Sequence, residues 1–288
     1  MKNEGGDLTT DTSIGVIQMV SSQHVDVNLK RAEALIEEAA SGGVRAIFLP
    51  ENFAALASTE TQAIAEREAN DKGPVRQFLS EMAVRHQCWM FGGTLPVPVR
   101  PDGSRISDGR VRAASFVYDH TGQEVARYDK CHMFDVEVRD NQKSYRESDT
   151  FEAGEQLVVV DSPIGRVGLS VCYDIRFADV YRGLFHKGAE CFAVPSAFTT
   201  VTGKAHFEVL MRARAIENFS YAIAACQGGV HDSGRMTYGH SMVVGPWGDI
   251  KATCAEGESV ISCKIDLDSL HQMREEIPIE SGFGGSNF

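Results

Sequence analysis

Residues 164–179 read IGRVGLSVCYDIRFAD, and the architecture expected for the whole chain follows from this stretch. Residues 167–171 are a run of small and β-branched apolar residues, which is typical of a buried strand. From 176 to 187 the apolar residues recur at helical spacing, so the strand leads into a helix. Cys172 stands at the turn, where backbone N–H groups and the helix dipole are expected to favour a thiolate. The stretch predicts an α/β fold with either a nucleophilic cysteine or a buried structural one at this turn.

The composition excludes several classes of protein. The chain has 288 residues, of which 43% are hydrophobic, so it can bury the core of one large α/β domain. A net charge of −12 argues against a nucleic-acid partner. The polar start lacks the apolar core of a secretion signal, and no apolar run reaches the length of a membrane span. With seven cysteines and no CxxC pair, we expect a reduced, soluble, cytoplasmic protein without a membrane partner.

Strands and helices are predicted along most of the chain, with only the segment 130–154 lacking clear periodicity. Strands are expected at 13–20, 46–49, 88–95, 112–119, 124–128, 167–171, 191–194, 221–226, 238–244, 250–254 and 259–265. Helices are expected at 28–40, 73–86, 176–187, 205–217 and 266–276.

The balance of these elements predicts the fold class. Strands outnumber those of a simple βαβ repeat, and several adjoin as hairpins, so mixed sheets are expected. We predict a four-layer αββα sandwich of two mixed β-sheets flanked by helices. Without an internal repeat or linker, residues 1–288 are expected to form a single domain, with residues 1–12 flexible.

Three further charged residues stand where predicted strands end or in the loops between them. Glu51 follows the apolar run AIFLP, where burial would raise the pKa of its carboxyl towards that of a general base. Lys130 ends the second hairpin strand, and Glu147 lies in the polar segment. Each is equally compatible with an ordinary capping, paired or solvated role. Taken with Cys172, however, they are the groups that acyl transfer from an amide requires without a metal.

Three motifs carry a resemblance to a known family. The sequence LPEN at 49–52, YDKCHMFD at 128–135 and GLSVCYDIRF at 168–177 resemble the nitrilase superfamily of carbon–nitrogen hydrolases. The resemblance implies a Glu51–Lys130–Cys172 triad and a further active-site glutamate at Glu147. It also implies an oxyanion site formed by Lys130 and the backbone N–H of Tyr173.

The resemblance also predicts the reaction. It implies a cysteine-dependent amidase that converts a small carboxamide to an acid and ammonia through a thioester acyl-enzyme. No metal and no organic cofactor are expected, and the chain is expected to form a homodimer or a larger homo-oligomer.

The branch within the superfamily is narrowed by further motifs. Cys-Tyr-Asp after the strand is similar to the amidase branches rather than to nitrile-cleaving members. RARAIE at 212–217 and QGGVH at 227–231 resemble the branch that acts on deaminated glutathione, N-(4-oxoglutaryl)-L-cysteinylglycine. The alternatives are the ω-amidase branch, which acts on 2-oxoglutaramate and 2-oxosuccinamate, an N-carbamoyl amidohydrolase, and a catalytically silent binding module.

Recognition of an oxo acid substrate requires a cation or a backbone anion nest. Polar residues near Cys172 or in loops after strands are candidates, although structural hydrogen bonding is the favoured interpretation of each. The candidates are Arg176, Thr199, Thr202, His206, Gln227 and His231. The nine histidines show no paired metal-ligand spacing, so a metallohydrolase is not expected.

Overall fold

The computed structural model describes residues 12–140 and 143–279. The strands are β1 (Ser13–Gln18), β2 (Ala46–Phe48), β3 (Trp89–Phe91), β4 (Leu95–Val97), β5 (Arg112–Tyr118), β6 (Glu124–Asp129), β7 (Asp135–Glu137), β8 (Ser144–Arg146), β9 (Val159–Ser162), β10 (Gly165–Leu169), β11 (Cys191–Ala193), β12 (Tyr221–Ala224), β13 (Gly228–Val230), β14 (Met236–Tyr238), β15 (Met242–Val244), β16 (Ile250–Thr253) and β17 (Ser259–Lys264). The helices are α1 (Val25–Ser41), α2 (Thr61–Arg67), α3 (Pro74–His86), α4 (Ala178–His186), α5 (Thr200–Thr202), α6 (Glu208–Asn218) and α7 (Leu267–Glu276).

Two mixed sheets form the centre of the molecule. Sheet 1 has the strand order β17-β1-β2-β3-β5-β4, with β6 paired to β5, and its β1, β2 and β3 run parallel. Sheet 2 has the order β16-β15-β12-β11-β10-β9, with β10, β11 and β12 parallel. Parallel strands in each sheet bring their carboxyl ends to one edge, which is where sites form in α/β proteins.

The apolar residues bury in two layers that define the sandwich. One core lies between the sheets and continues under α4 and α6, and it contains Val16, Phe48, Leu169, Phe192 and Met211. The second core packs the other face of sheet 1 against α1 and α3. The predicted four-layer αββα sandwich is therefore confirmed, because each sheet buries both faces.

Helix positions follow from their apolar faces and glycine ends. In α1 the buried residues recur at helical spacing, including Ala32, Leu35 and Ala39, and the helix ends before Gly42. In α4 the predicted apolar face, Val180, Tyr181 and Leu184, is buried.

Several predicted boundaries differ from the structure. The strand expected at 88–95 is broken into β3 and β4 at Gly92 and Gly93. Gly93 has φ +56°, and a Cβ there would lie 2.0 Å from the Pro50 carbonyl oxygen. Only glycine allows this close approach, which brings the loop after β3 against the end of β2.

Elements also occur in segments expected to be irregular. The segment 130–154 contains the β7–β8 hairpin, and the loop before 238 contains the β13–β14 hairpin. The helix expected at 205–217 begins as a π-helical turn at Gly203–Phe207. These elements are too short to show the periodicity of longer ones, so the sequence pattern does not predict them.

The predicted flexible segment 1–12 mostly lies outside the described residues. Thr12 is described and buried, and its carbonyl accepts a hydrogen bond from the Ile265 N–H at 3.2 Å. Among the described helices, none combines the length and hydropathy needed to cross a bilayer.

Candidate active site

Strand ends from both sheets meet at one cavity of about 290 Å³. Glu51 follows β2 and Lys130 follows β6 in sheet 1, while Cys172 follows β10 in sheet 2. All three side chains line the cavity, together with Glu147 and Tyr173. The residues predicted from separate motifs are thus brought together by the packing of one sheet on the other.

Lys130 is the central cation of this cavity. Its ammonium is buried, with 2% of the side chain exposed, and lies 2.8 Å from Glu51 Oε1. It also donates to both carboxylate oxygens of Glu147 at 2.8 Å. Burial alone would lower the pKa of Lys130, but Glu147 and Glu51 raise it well above its ordinary value. The ammonium therefore stays charged throughout the neutral range.

Glu147 is held so that it can fix this ammonium. It begins a short 3₁₀ helix, Glu147–Asp149, directly after β8. Its Oε2 also accepts a hydrogen bond from the backbone N–H of Phe134 at 2.6 Å. Both oxygens of Glu147 therefore contact the Lys130 ammonium, and Oε2 is also held by the Phe134 N–H.

Cys172 adopts an unusual backbone conformation. Its φ is +46°, in the left-handed region that non-glycine residues rarely occupy. Its N–H donates to the Pro195 carbonyl at 2.9 Å, which holds the residue in place. The turn directs the thiol into the cavity while only 8% of the residue is exposed. Backbone strain of this kind is concentrated at functional sites.

The surroundings of the Cys172 thiol act on its pKa in opposite directions. Burial raises the pKa of Cys172 well above its ordinary value, and the neighbouring Glu51 carboxylate raises it further. Lys130 and the N–H of Ala197 act in the opposite direction without overcoming these effects. Moreover, α4 begins only at Ala178, so its dipole does not start at the cysteine. A raised pKa favours the thiol form, so formation of the nucleophilic thiolate would need a neighbouring base.

Glu51 is the carboxylate placed to serve as that base. It is 4% exposed, and its backbone carbonyl accepts a hydrogen bond from Gln227 Nε2 at 3.1 Å. Gln227 also bonds the backbone N–H and hydroxyl of Ser21. Gln227 thus braces the loop that carries Glu51.

Asp174 links the two halves of the site. It is fully buried, and Oδ2 accepts hydrogen bonds from the Tyr128 hydroxyl at 2.7 Å and the Val171 N–H at 2.9 Å. Oδ1 pairs with the backbone N–H of His132 at 3.0 Å and with its Nδ1 at 2.8 Å. Tyr128 and His132 flank Lys130 in sequence, so Asp174 ties the lysine segment to the cysteine turn.

The predicted substrate residues fall into two groups. Thr199 and Thr202 line the cavity, and their hydroxyls lie 2.9 Å apart. The other four do not line it. Arg176 lies 3.3 Å from His206 Nδ1 and packs over the Tyr173 ring. Gln227 donates a hydrogen bond to the backbone carbonyl of Glu51.

His231 also has a structural environment. Its Nδ1 bonds the Ser21 carbonyl at 2.8 Å, and Nε2 lies 2.7 Å from the Thr237 hydroxyl. Burial lowers the pKa of His231, so the ring is neutral, with Nδ1–H as donor and Nε2 as acceptor. The loop polarity that suggested a pocket position is used for internal hydrogen bonding.

Several cavity residues were not predicted. Arg146 and Arg235 bring positive charge to the wall, and Phe134 and Tyr145 bring aromatic surface. Three of them lie in or beside the β7–β8 hairpin, which had no detectable periodicity. The sequence feature that could have indicated them is the presence of arginines and aromatic residues in segments without periodicity.

The second predicted oxyanion donor is compatible with this geometry. Tyr173 lines the cavity and is the second residue of the 3₁₀ helix Cys172–Arg176. N–H groups in the first turn of a helix have no acceptor within the helix. A thiol, a buried base, a fixed ammonium and such an N–H can together add sulfur to a carbonyl carbon and hold the resulting oxyanion. Over residues 12–140 and 143–279, no trio of His, Cys, Asp or Glu is arranged to hold a metal ion.

Comparison with known proteins identifies relatives of this arrangement. The profile of the carbon–nitrogen hydrolase family matches residues 13–275. The chain is 39% identical over 269 residues to a deaminated glutathione amidase of Yersinia enterocolitica, covering 93% of this chain and 92% of the relative. It is 40% identical over 264 residues to a deaminated glutathione amidase of Synechocystis, covering 91% and 94%.

A solved structure shows the same architecture. Saccharomyces cerevisiae Nit3, described as a member of branch 10 of the nitrilase superfamily, superposes with a TM-score of 0.81 at 29% identity. The superposition covers 94% of this chain and 96% of Nit3.

Proposed function

The chain belongs to the carbon–nitrogen hydrolase family, and from this premise we propose that it hydrolyses deaminated glutathione at the cavity lined by Cys172, Glu51 and Lys130. It is a hydrolase that acts on amides, of the nitrilase superfamily. The observation that carries the proposed site is the buried Lys130 ammonium, held 2.8 Å from Glu51 and from Glu147 beside a buried thiol. The substrate is proposed because the Yersinia enterocolitica and Synechocystis relatives, each covered over more than nine-tenths of its length, are named as deaminated glutathione amidases.

The first half-reaction forms a thioester. Glu51 takes the proton of the Cys172 thiol, and the sulfur attacks the carbonyl carbon of the substrate amide. The carbonyl oxygen becomes an oxyanion, which accepts hydrogen bonds from the Lys130 ammonium and the Tyr173 N–H. Glu51 then donates its proton to the amide nitrogen, the C–N bond breaks, and the amine leaves.

The second half-reaction releases the acid. Glu51 takes a proton from water, and the hydroxide oxygen attacks the thioester carbon. The oxyanion forms at the same donors, and the C–S bond breaks as the thiolate regains the proton. Since Glu51 ends as it began, only water is consumed, and the proposed reaction uses no metal or organic cofactor.

The leaving group of this substrate differs from the ammonia that the sequence analysis expects. In N-(4-oxoglutaryl)-L-cysteinylglycine the amide nitrogen belongs to the cysteine residue. Hydrolysis therefore yields 2-oxoglutarate and the dipeptide cysteinylglycine. Ammonia is the leaving group only with primary amides such as 2-oxoglutaramate, the substrate of the alternative ω-amidase reaction.

Glu147 is proposed to position Lys130 during both steps. Two carboxylates on one ammonium keep that ammonium charged and restrict its location. A preorganised cation is worth more in a dry cavity than in water, because nothing must reorient when the oxyanion forms.

The substrate proposal is tested by incubating the purified protein with deaminated glutathione and, separately, with 2-oxoglutaramate. Mass spectrometry would follow 2-oxoglutarate and cysteinylglycine, and an ammonia assay would follow the second reaction. We expect kcat/KM for deaminated glutathione to exceed that for 2-oxoglutaramate. Faster ammonia release from 2-oxoglutaramate would replace the proposed substrate by the ω-amidase one, and slow turnover of both would direct the search to N-carbamoyl amides.

Three organisational features complete the proposal. We propose one catalytic domain over the whole chain, assembly as a homodimer or larger homo-oligomer, and a cytoplasmic location. Sedimentation analysis would test the assembly, since a purely monomeric active enzyme would contradict it.

A further inference from the structure

A second depression of about 500 Å³ adjoins the catalytic cavity. We call it the outer groove, and its defining residues are Arg139, Tyr145, Thr200, Val201, Arg235 and Met236. Tyr145 and Arg235, with Ala57, line both spaces, so they form the wall between the groove and the cavity. A molecule longer than the cavity can therefore extend past this wall into the groove.

Arg235 is anchored close to the reacting thiol. Its Nη2 donates to the Ala197 carbonyl at 3.3 Å, and Ala197 is the residue whose N–H reaches the Cys172 sulfur. The guanidinium also lies 5.6 Å from the centre of the Tyr145 ring. Its Nε is buried and has no hydrogen-bond partner among the described residues. The guanidinium is therefore not saturated by protein acceptors, and Arg235 lines both the cavity and the groove, where its positive charge can act on a ligand.

The charge balance of the outer groove favours an anion. Arg139 and Arg235 contribute two positive charges, and Asp140 contributes one negative charge. The Asp140 carboxylate is already engaged, because it accepts hydrogen bonds from the Tyr145 hydroxyl at 2.7 Å and the Lys143 N–H at 2.9 Å. In a chain of net charge −12, this local excess of positive charge is distinctive.

The rim of the outer groove is apolar. Val201 and Met236 line the groove and are 46% and 43% exposed. Apolar side chains with a few convergent polar groups are typical of small-ligand sites. The groove therefore suits a ligand with a small apolar middle and a carboxylate.

We propose that the outer groove binds the amine half of the substrate, and that Arg235 and Arg139 bind the carboxylate of that half. This inference rests on the proposed function, in which the acyl half stays on Cys172 and the cysteinylglycine half departs. The preferred substrates would then be amides whose nitrogen carries a short peptide with a free carboxylate. Primary amides would leave the groove empty and lose its contribution to binding.

The test compares two substrates that differ only at this carboxylate. The first is N-(4-oxoglutaryl)-L-cysteinylglycine, and the second is the same compound with its terminal carboxylate converted to an amide. We expect kcat/KM of the wild type to be roughly tenfold higher for the acid, from the loss of a charge-assisted hydrogen bond with the amide. In Arg139→Gln and Arg235→Gln this ratio should fall towards one.

Control variants distinguish the loss of a charge from a loss of folding. The outcomes also distinguish failure of this inference from failure of the proposed function. Arg85→Gln on α3 removes the same charge from an exposed site, and its ratio should equal that of the wild type. If Arg235→Gln does not fold, Arg235→Lys provides the second variant and should keep part of the ratio. A wild-type ratio near one, or a ratio unchanged in both glutamine variants, would overturn the groove assignment. Failure of the wild type to cleave either compound would instead overturn the proposed function.

Discussion

Two buried carboxylates near Cys172, those of Asp174 and Glu51, differ in their hydrogen-bond partners. Asp174, in the turn after β10, is fully buried and accepts hydrogen bonds from Tyr128, Val171 and His132. Glu51, after β2, is 4% exposed, with its side chain facing Lys130 and the Cys172 thiol. Both would be costly to bury without partners.

The difference lies in what occupies their oxygens. The partners of Asp174 are structural donors, and two of them are backbone N–H groups. The Asp174 carboxylate therefore holds the segment around Lys130 against the turn that contains Cys172. The partners of Glu51 are the cation and the nucleophile proposed to react. A buried carboxylate whose two oxygens are both occupied by fixed donors therefore supports structure, whereas a carboxylate that faces the cavity and the proposed nucleophile is available for proton transfer. The following predictions test this distinction.

Removing the nucleophile is expected to have the largest effect. Cys172→Ala should lower kcat for amide hydrolysis by roughly 10⁴-fold or more, because no thioester can form. Steady-state kinetics would measure the loss, and circular dichroism should show an unchanged fold. Cys263→Ala, another free cysteine on β17, is the matched control and should keep full activity. Retained turnover in Cys172→Ala would remove the basis of the proposed site.

Neutralising Glu51 should have the next largest effect. Glu51→Gln keeps the shape but removes the base, so kcat should fall by about 10²- to 10⁴-fold. The variant also has a measurable effect on the thiol. Burial and the Glu51 charge both raise the pKa of Cys172, so removing that charge should lower the pKa relative to the wild type.

The pH dependence of Cys172 alkylation by iodoacetamide measures this shift. The thiolate should form at lower pH in Glu51→Gln than in the wild type, even though turnover is lost. An unchanged alkylation profile would mean that Glu51 does not act on the thiol as the comparison requires.

Glu147 should contribute less, since it is proposed to act through Lys130. Glu147→Gln removes one of the two carboxylates that raise the pKa of Lys130, so that pKa should fall. We expect kcat to drop by roughly tenfold to a hundredfold, with the alkaline limb of the pH–rate profile displaced to lower pH. Glu66→Gln, at an exposed ion pair with Arg105, is the control. A loss of activity without displacement of the alkaline limb would contradict the positioning role.

Asp174 should show the smallest effect on turnover and a clear effect on stability. Asp174→Asn places an amide N–H₂ group against groups that themselves donate hydrogen bonds, so at least one buried donor loses its acceptor. The free energy of unfolding should fall by about 2–4 kcal/mol. Turnover of the folded variant should fall by only about tenfold. Urea unfolding and kinetics on the same sample would measure both, with the exposed Asp161→Asn as control. A kcat as low as that of Glu51→Gln would erase the distinction between the two carboxylates.

The sequence by itself determined the layers of the sandwich and named the members of the proposed catalytic cluster. Apolar strands and helices are recognisable by their periodicity, as in β10, which precedes Cys172, and α4, which follows it. Glu51 and Lys130 were assigned from the resemblance carried by the LPEN and YDKCHMFD motifs, because strand-end position alone left an ordinary role open for each. Their common location follows from the parallel strands, whose carboxyl ends share an edge.

Only the tertiary structure decided how each polar group is used. Gln227 and His231 lie in a loop that is as polar as the cavity wall, yet they hydrogen-bond to Ser21. Arg235 lies in the turn between β13 and β14 and lines the cavity. No local sequence pattern encodes this position. The protonation of Cys172 likewise depends on burial by both sheets and on the charge of Glu51, which lies far away in sequence. Periodicity reports which face of an element is buried, but the partner of a single polar side chain is set by whichever distant segment the fold brings beside it.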